Sequence, residues 1–238
     1  MGKAKKTALR SLPASWRMDM FSHASRPEYI QARPQLLPAL AVLWLTGCRP
    51  AELQKGVHVL WRNNVLLIDV PGVKLEDAGG RERGQPSRRY AFQTGPDFEA
   101  AYPALTVLRL LAAQNVSNEI GRALVMHDGD YLYNSVVSLG KSVFPKMRTR
   151  VSPYCFRHQT ASDLKRDPDV SLDTAAKFMG HLSDYSIGRY GHAVHGGKSG
   201  RPKAIVETSR PVKHSQKVDR LARFKAASVE RRTLEEKL

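Results

Sequence analysis

The segment RPQLLPALAVLWLTGCRPAEL, residues 33–53, restricts the fold more than any other part of the chain. Leu36, Leu37, Ala39, Leu40, Leu43, Trp44 and Leu45 recur at helical spacing, and Pro34 suits the first turn of such a helix. Gly47 stops that helix, and Pro50 fits the first turn of the next one. The reading is a buried helix, a tight corner and a second helix. Arg49 falls in the corner, where a side chain projects instead of packing along a helix.

The next segment, VHVLWRNNVLLIDVPGVK (57–74), places two β-rich runs on either side of Asn63-Asn64, a pair that tolerates the positive φ of a hairpin turn. A glycine-rich charged loop, LEDAGGRERGQPSRR, leads into the short β-like run RYAFQ. This predicts a three-stranded antiparallel sheet with a long loop, and Lys74 stands where the second strand ends and the loop begins. From about residue 103 the pattern is helical through PALTVLRLLAAQN, YLYNSVVSLGKSVFPKM, FRHQTASDLKR and LDTAAKFMGH. The expected fold is therefore α+β and mainly helical. Residues 1–25 read as a basic N-terminal arm, 26–195 as the main domain, and 196–238 as a basic linker with a C-terminal helix.

Charge then narrows the partner. Lys and Arg number 38 against 22 Asp and Glu, a formal charge of +16, well beyond what solubility requires. The basic residues are spread along the chain and not gathered on one amphipathic helix, which favours nucleic acid over a membrane surface. The longest apolar run, ALAVLWL at 39–45, is too short to span a bilayer. Cys48 and Cys155 form no CxxC pair, which fits a reducing compartment without disulfides. The expected location is the cytoplasm, in association with the nucleoid.

Three segments carry a resemblance. TGCRPAEL (46–53) resembles the first arginine box of the tyrosine recombinases, the family of phage integrases and Xer-type recombinases, with its pattern TG-x-R-x-x-E-L. SPYCFRHQTASDL (152–164) resembles the second arginine box, H-x-x-R-H, and MGHLSDYSIGRYGH (179–192) resembles the final box, in which a glycine-histidine precedes the nucleophilic tyrosine by nine residues. The three come in the family's order and cover roughly residues 30–192.

The resemblance implies the recombinase catalytic fold and DNA cleavage and rejoining through a 3′-phosphotyrosyl link, as in integration, excision or resolution of a mobile element. Arg49 and Arg157 would be the planar forks on the scissile phosphate, suited to it because they bind two oxygens at once and stay charged. Tyr190 would be the nucleophile, on a segment that Gly188 and Gly191 keep from being a robust helix. His181 would bond a nonbridging oxygen, Glu52 would buttress Arg49, and His158 matches the residue after the second arginine. Lys74 would protonate the leaving 5′-oxygen, with Lys55, Arg81 and Arg83 as competitors. No metal and no other cofactor is implied.

The departure from the pattern is Tyr154, which stands where the family has histidine. A neutral phenol is a poor base near pH 7, though it can still donate to phosphate. By contrast, Tyr131, Tyr133 and Tyr185 read as core rings. GGKSG lacks the first glycine of a phosphate-binding loop, and HAVH lacks the partners of a zinc site. GRPK (200–203) fits a flexible basic linker better than a minor-groove hook, and Arg201, Lys203, Arg220 and Arg223 are the tail's candidate DNA contacts. The tail's Val218, Leu221 and Phe224 lie at i, i+3 and i+6, one stripe suited to a neighbouring protomer, so the expected state is a homo-oligomer on double-stranded DNA. Members of the family carry an N-terminal helical DNA-binding domain, whereas about 30 residues precede the matched region here. Another chain is expected to supply it, or the basic arm and tail to replace it, unless the chain is a piece of a longer one. The competing reading is a DNA-binding regulator or accessory factor that keeps the fold with reduced catalysis.

Overall fold

The computed structural model describes residues 9–76, 79, 80, 82–197 and 200–216. The predicted helix is α3 (Leu36–Thr46), preceded by α1 (Trp16–Ala24) and α2 (Pro27–Ala32). Nearly every side chain of α3 is buried, as befits a helix that is apolar all round. Gly47 ends it in the left-handed conformation at φ 59°, and a Cβ at that position would lie 2.8 Å from the side chain of Thr160. Glycine is needed there for both its φ and its size. Pro50 then opens α4 (Pro50–Lys55), with Arg49 as the extended residue just before it.

The sheet is larger than the sequence suggested. The predicted strands are present as β1 (Val57–Arg62), β2 (Val65–Pro71) and β3 (Ser87–Gln93), and Asn63 and Asn64 turn between the first two at φ 50° and 60°. Three further strands join them, β4 (Val116–Ser117), β5 (Ile120–Val125) and β6 (Ile205–Thr208), giving, among the described residues, six antiparallel strands in the order β4-β5-β1-β2-β3-β6. The expectation of three strands is thereby corrected. The β4–β5 hairpin turns on Asn118 and Glu119, at φ 50° and 62°, and lies inside a stretch that reads as helical by composition. β6 pairs with β3 across more than a hundred residues of chain, Ile205 opposite Ala91 and Thr208 opposite Arg88.

The remaining helices are α5 (Pro96–Ala101), α6 (Pro103–Ala113), α7 (Gly129–Val143), α8 (Pro153–Arg166) and α9 (Leu172–Phe178). α8 is buried along most of its length. Residues 9–24 also contribute to the core, through Leu9, Leu12, Trp16, Met20 and Phe21. Their spacing is helical, but interspersed polar residues make the segment read as an arm. Trp16 meets Phe156 edge-on at 4.7 Å and Phe21 meets Trp44 at 5.5 Å. Tyr131, Tyr133 and Tyr185 are not core rings; they are 52%, 39% and 49% exposed. Among the described residues, no helix is long and apolar enough to cross a membrane.

Candidate active site

Four segments meet at one place: the 47–49 corner with α4, the inward face of β3, α8, and the turn from Gly180 to Tyr190. Glu52 is the fully buried centre of the first. Its carboxylate accepts from the Arg49 backbone N–H at 2.8 Å and from Arg49 Nη1 at 2.7 Å. From the opposite side Arg88 donates through Nη1 at 3.2 Å and Nη2 at 2.7 Å. Burial alone would raise this carboxyl's pKa, but the charges of Arg88, Arg157 and Arg49 bring it to about 2. Glu52 is thus an anion clamped between two guanidiniums, and the clamp orients Arg49.

Arg88 is the residue that motif reading missed. It is buried, its Nε donates to Tyr90 Oη at 2.5 Å, and Tyr90 in turn donates to the Phe178 carbonyl at 2.5 Å. Gly180 takes φ 66° directly above it, where a Cβ would fall 2.7 Å from Arg88 Nη1. The available signal was the period-two alternation of Arg88, Tyr90 and Phe92 on one face of β3.

Arg157 joins the corner to the histidine turn. Its Nη1 donates to the Gly47 carbonyl at 2.9 Å and its Nη2 to the Met179 carbonyl at 2.7 Å, with His181 Nε2 3.2 Å from the same nitrogen. A guanidinium only donates, so Nε2 of His181 accepts and the ring proton sits on Nδ1. Burial, followed by the charges of Arg157, Arg49 and Arg88, pushes His181 well below its ordinary pKa, so it is neutral at pH 7. Two buried donors of this cluster, Arg157 Nε and His181 Nδ1, have no hydrogen-bond partner among the described residues. Orphaned donors among surplus positive charge suit an incoming anion.

Tyr190 lies against this cluster. Its ring centroid is 4.7 Å from Arg157 Cζ, 5.2 Å from the near-parallel His181 ring and 5.5 Å from His158. Its backbone is extended at φ −102°, just past the 3-10 turn Asp184–Arg189. Burial pushes the phenol's pKa up, yet the nearby charges of Arg157 and Arg49 outweigh it and leave the group below its ordinary value. His158 Nδ1 accepts the Gly191 N–H at 3.2 Å, so its proton is on Nε2 and the ring acts as a brace for the tyrosine segment.

The other predicted residues are placed less closely. Tyr154 is half-buried in the first turn of α8, three residues ahead of Arg157. Lys74 is exposed on the loop after β2. The carbonyl of Lys74 lies where a Cβ on Gly84 would fall, and Gly84 forms a β-bridge with His181, so this loop runs alongside the site. Lys55 instead donates to the Gly72 carbonyl at 2.9 Å and fastens the start of the same loop. Arg201 turns inward, 3.1 Å from Asp167 with a side chain 8% exposed, while Lys203 is exposed and 3.6 Å from Asp169. Arg220 and Arg223 lie outside the described residues. Among those described, no cluster of three His, Cys, Asp or Glu residues could hold a metal ion.

The residues brought together are thus Arg49, Glu52, Arg88, Arg157, His158, His181 and Tyr190, a polar pocket with three guanidiniums, one carboxylate and a phenol. Three guanidiniums against one carboxylate leave the cluster with surplus positive charge, which suits an anion. No family model matches the chain, and no curated protein matches it. Among solved structures it is similar to the crystal structure of XerA recombinase, with TM-score 0.44 and 19% identity over 74% of this chain. The match spans 57% of that recombinase's length.

Proposed function

We propose that this chain is a site-specific DNA recombinase of the tyrosine class, which cleaves and rejoins DNA through a 3′-phosphotyrosyl intermediate at Tyr190. The observation that carries this reading is the Tyr190 ring packed 4.7 Å from Arg157 Cζ and 5.2 Å from the His181 ring, beside the Arg49–Glu52 pair. A scissile phosphate entering beside the phenol would meet the Arg49 and Arg157 guanidiniums and the Nδ1–H of His181, donors that match the charge developing in a five-coordinate transition state. The Tyr190 oxygen forms a bond to phosphorus as the bond to the 5′-oxygen breaks. The phenol proton passes to solvent, eased by the two arginines, and Lys74 gives a proton to the departing 5′-oxygen, which leaves as a 5′-hydroxyl. The reverse step, attack by a 5′-hydroxyl on the phosphotyrosine, conserves the ester bond energy.

Double-stranded DNA as partner follows from this reading and from the net charge of +16. A pool of nicked duplexes with randomised flanks tests it without knowledge of the target site. Loss of the short fragment between the scissile phosphate and the nick, which carries the new 5′-hydroxyl, traps the ester, so a denaturant-stable protein–DNA adduct is the expected product. DNA binding with no covalent product from the whole pool would favour the accessory-factor reading.

A further inference from the structure

The carbonyl oxygens of Tyr190 and Gly191 are held by one side chain. Lys165 Nζ donates to the Tyr190 carbonyl at 2.6 Å and to the Gly191 carbonyl at 2.8 Å. Lys165 stands seven residues after His158 on α8, hence on the same helix face, and His158 takes the N–H of Gly191. Between them Gly191 approaches α8 so closely that a Cβ would overlap Ser162 Oγ and the His158 carbonyl. The chain beyond is tied to α8 by other residues: Gln159 to the His195 carbonyl at 2.7 Å, Arg166 to that of Gly196 at 2.6 Å, and Asp163 to the Gly197 N–H at 2.8 Å. Lys165 therefore governs the stretch at the tyrosine itself, not the docking of the whole segment.

We infer that Lys165 is a positioning residue for the nucleophile: its ammonium fixes the Tyr190–Gly191 backbone on α8 and so aims the phenol at the Arg49–Arg157 pocket. The inference rests on Tyr190 being the nucleophile. Two charge-assisted bonds from one ammonium fix the backbone without touching the ring or the phosphate. Loss of that hold leaves the phosphate pocket intact but lets the phenol wander, and a misplacement of about 1 Å can lower a rate roughly a hundredfold.

The test uses the full chain as wild type, Lys165→Met and Lys165→Gln, the glutamine retaining an uncharged donor. Two readouts are taken: the single-turnover rate of adduct formation on a nicked duplex recovered from the randomised pool, and the phenol titration of Tyr190, read as the ultraviolet difference from the matching Tyr190→Phe protein. Expected are a fall in adduct rate of roughly tenfold to a hundredfold for methionine, a smaller fall for glutamine, DNA affinity unchanged within about twofold, and a Tyr190 titration moved upward toward that of a free phenol. A wild-type rate and an unmoved titration in both variants would overturn the inference. If wild type forms no adduct, the functional reading fails, and the titration alone still decides whether Lys165 holds the phenol in place.

Discussion

Glu52 shows how single residues set the site's chemistry. Its folded pKa of about 2 lies below its ordinary 4.5, so its contribution to stability is fully present above pH 4.5 and is lost as pH falls toward 2. His181 adds an earlier loss. It is held neutral when folded but free to take a proton when unfolded, so stability declines as pH drops below about 6.5. Glu52→Gln should therefore shrink the step between pH 4.5 and 2 in a melting-temperature profile, and should cost about 3–5 kcal/mol at neutral pH by leaving Arg88 buried without its counterion. An unchanged acid profile would show that the carboxylate is not the shared anion. Tyr154 offers a second residue-scale test, because it stands in the first turn of α8, three residues ahead of Arg157. If it donates to the phosphate, Tyr154→Phe should remove about 3 kcal/mol of transition-state stabilisation, a fall of roughly two orders of magnitude in adduct rate, and Tyr154→His should keep or raise the rate. Equal rates for tyrosine and phenylalanine would mean that the ring only packs.

The elements explain why some of this was legible in the sequence and some was not. A helix stopped by Gly47 and restarted by Pro50 is a local event, so the corner that holds Arg49 and Glu52 could be read from a few residues. The nine-residue interval from His181 to Tyr190 is likewise local. Arg88 was hidden because its role depends on β3 lying beneath Gly180, a neighbour more than ninety positions away. The β6 pairing was hidden for the same reason, and the β4–β5 hairpin because its turn uses Asn118 and Glu119 without a glycine. Lys165 was overlooked because its bonds go to backbone carbonyls, which carry no residue type. The contact between α8 and the tyrosine segment gives the element-scale prediction. Gly191→Ala would thrust a methyl into Ser162 and His158, so adduct formation should drop roughly a hundredfold while filter-binding affinity for DNA stays within about twofold. Parallel loss of binding and cleavage would show instead that the change disrupts α8 as a whole.

At the scale of the whole molecule, the chain carries a formal surplus of sixteen positive charges, and a net charge of that size attracts polyanions before any specific contact forms. Residues 217–238, outside the described part, carry seven Lys or Arg against four Asp or Glu. Their deletion should flatten the dependence of log affinity on log salt by about 0.9 for each phosphate they neutralise, measured as a titration series on one duplex; an unaltered slope would place the DNA-binding surface elsewhere. The central claim, that Tyr190 attacks DNA, has a more direct measurement. The denaturant-stable adduct from the nicked pool is digested with protease and nuclease, and the modified peptide is located by mass spectrometry in wild type and in Tyr190→Phe. The account predicts a nucleotide phosphodiester on Tyr190, and no adduct from the phenylalanine protein although it binds DNA as tightly. An adduct on another residue, or one that persists in Tyr190→Phe, would contradict it.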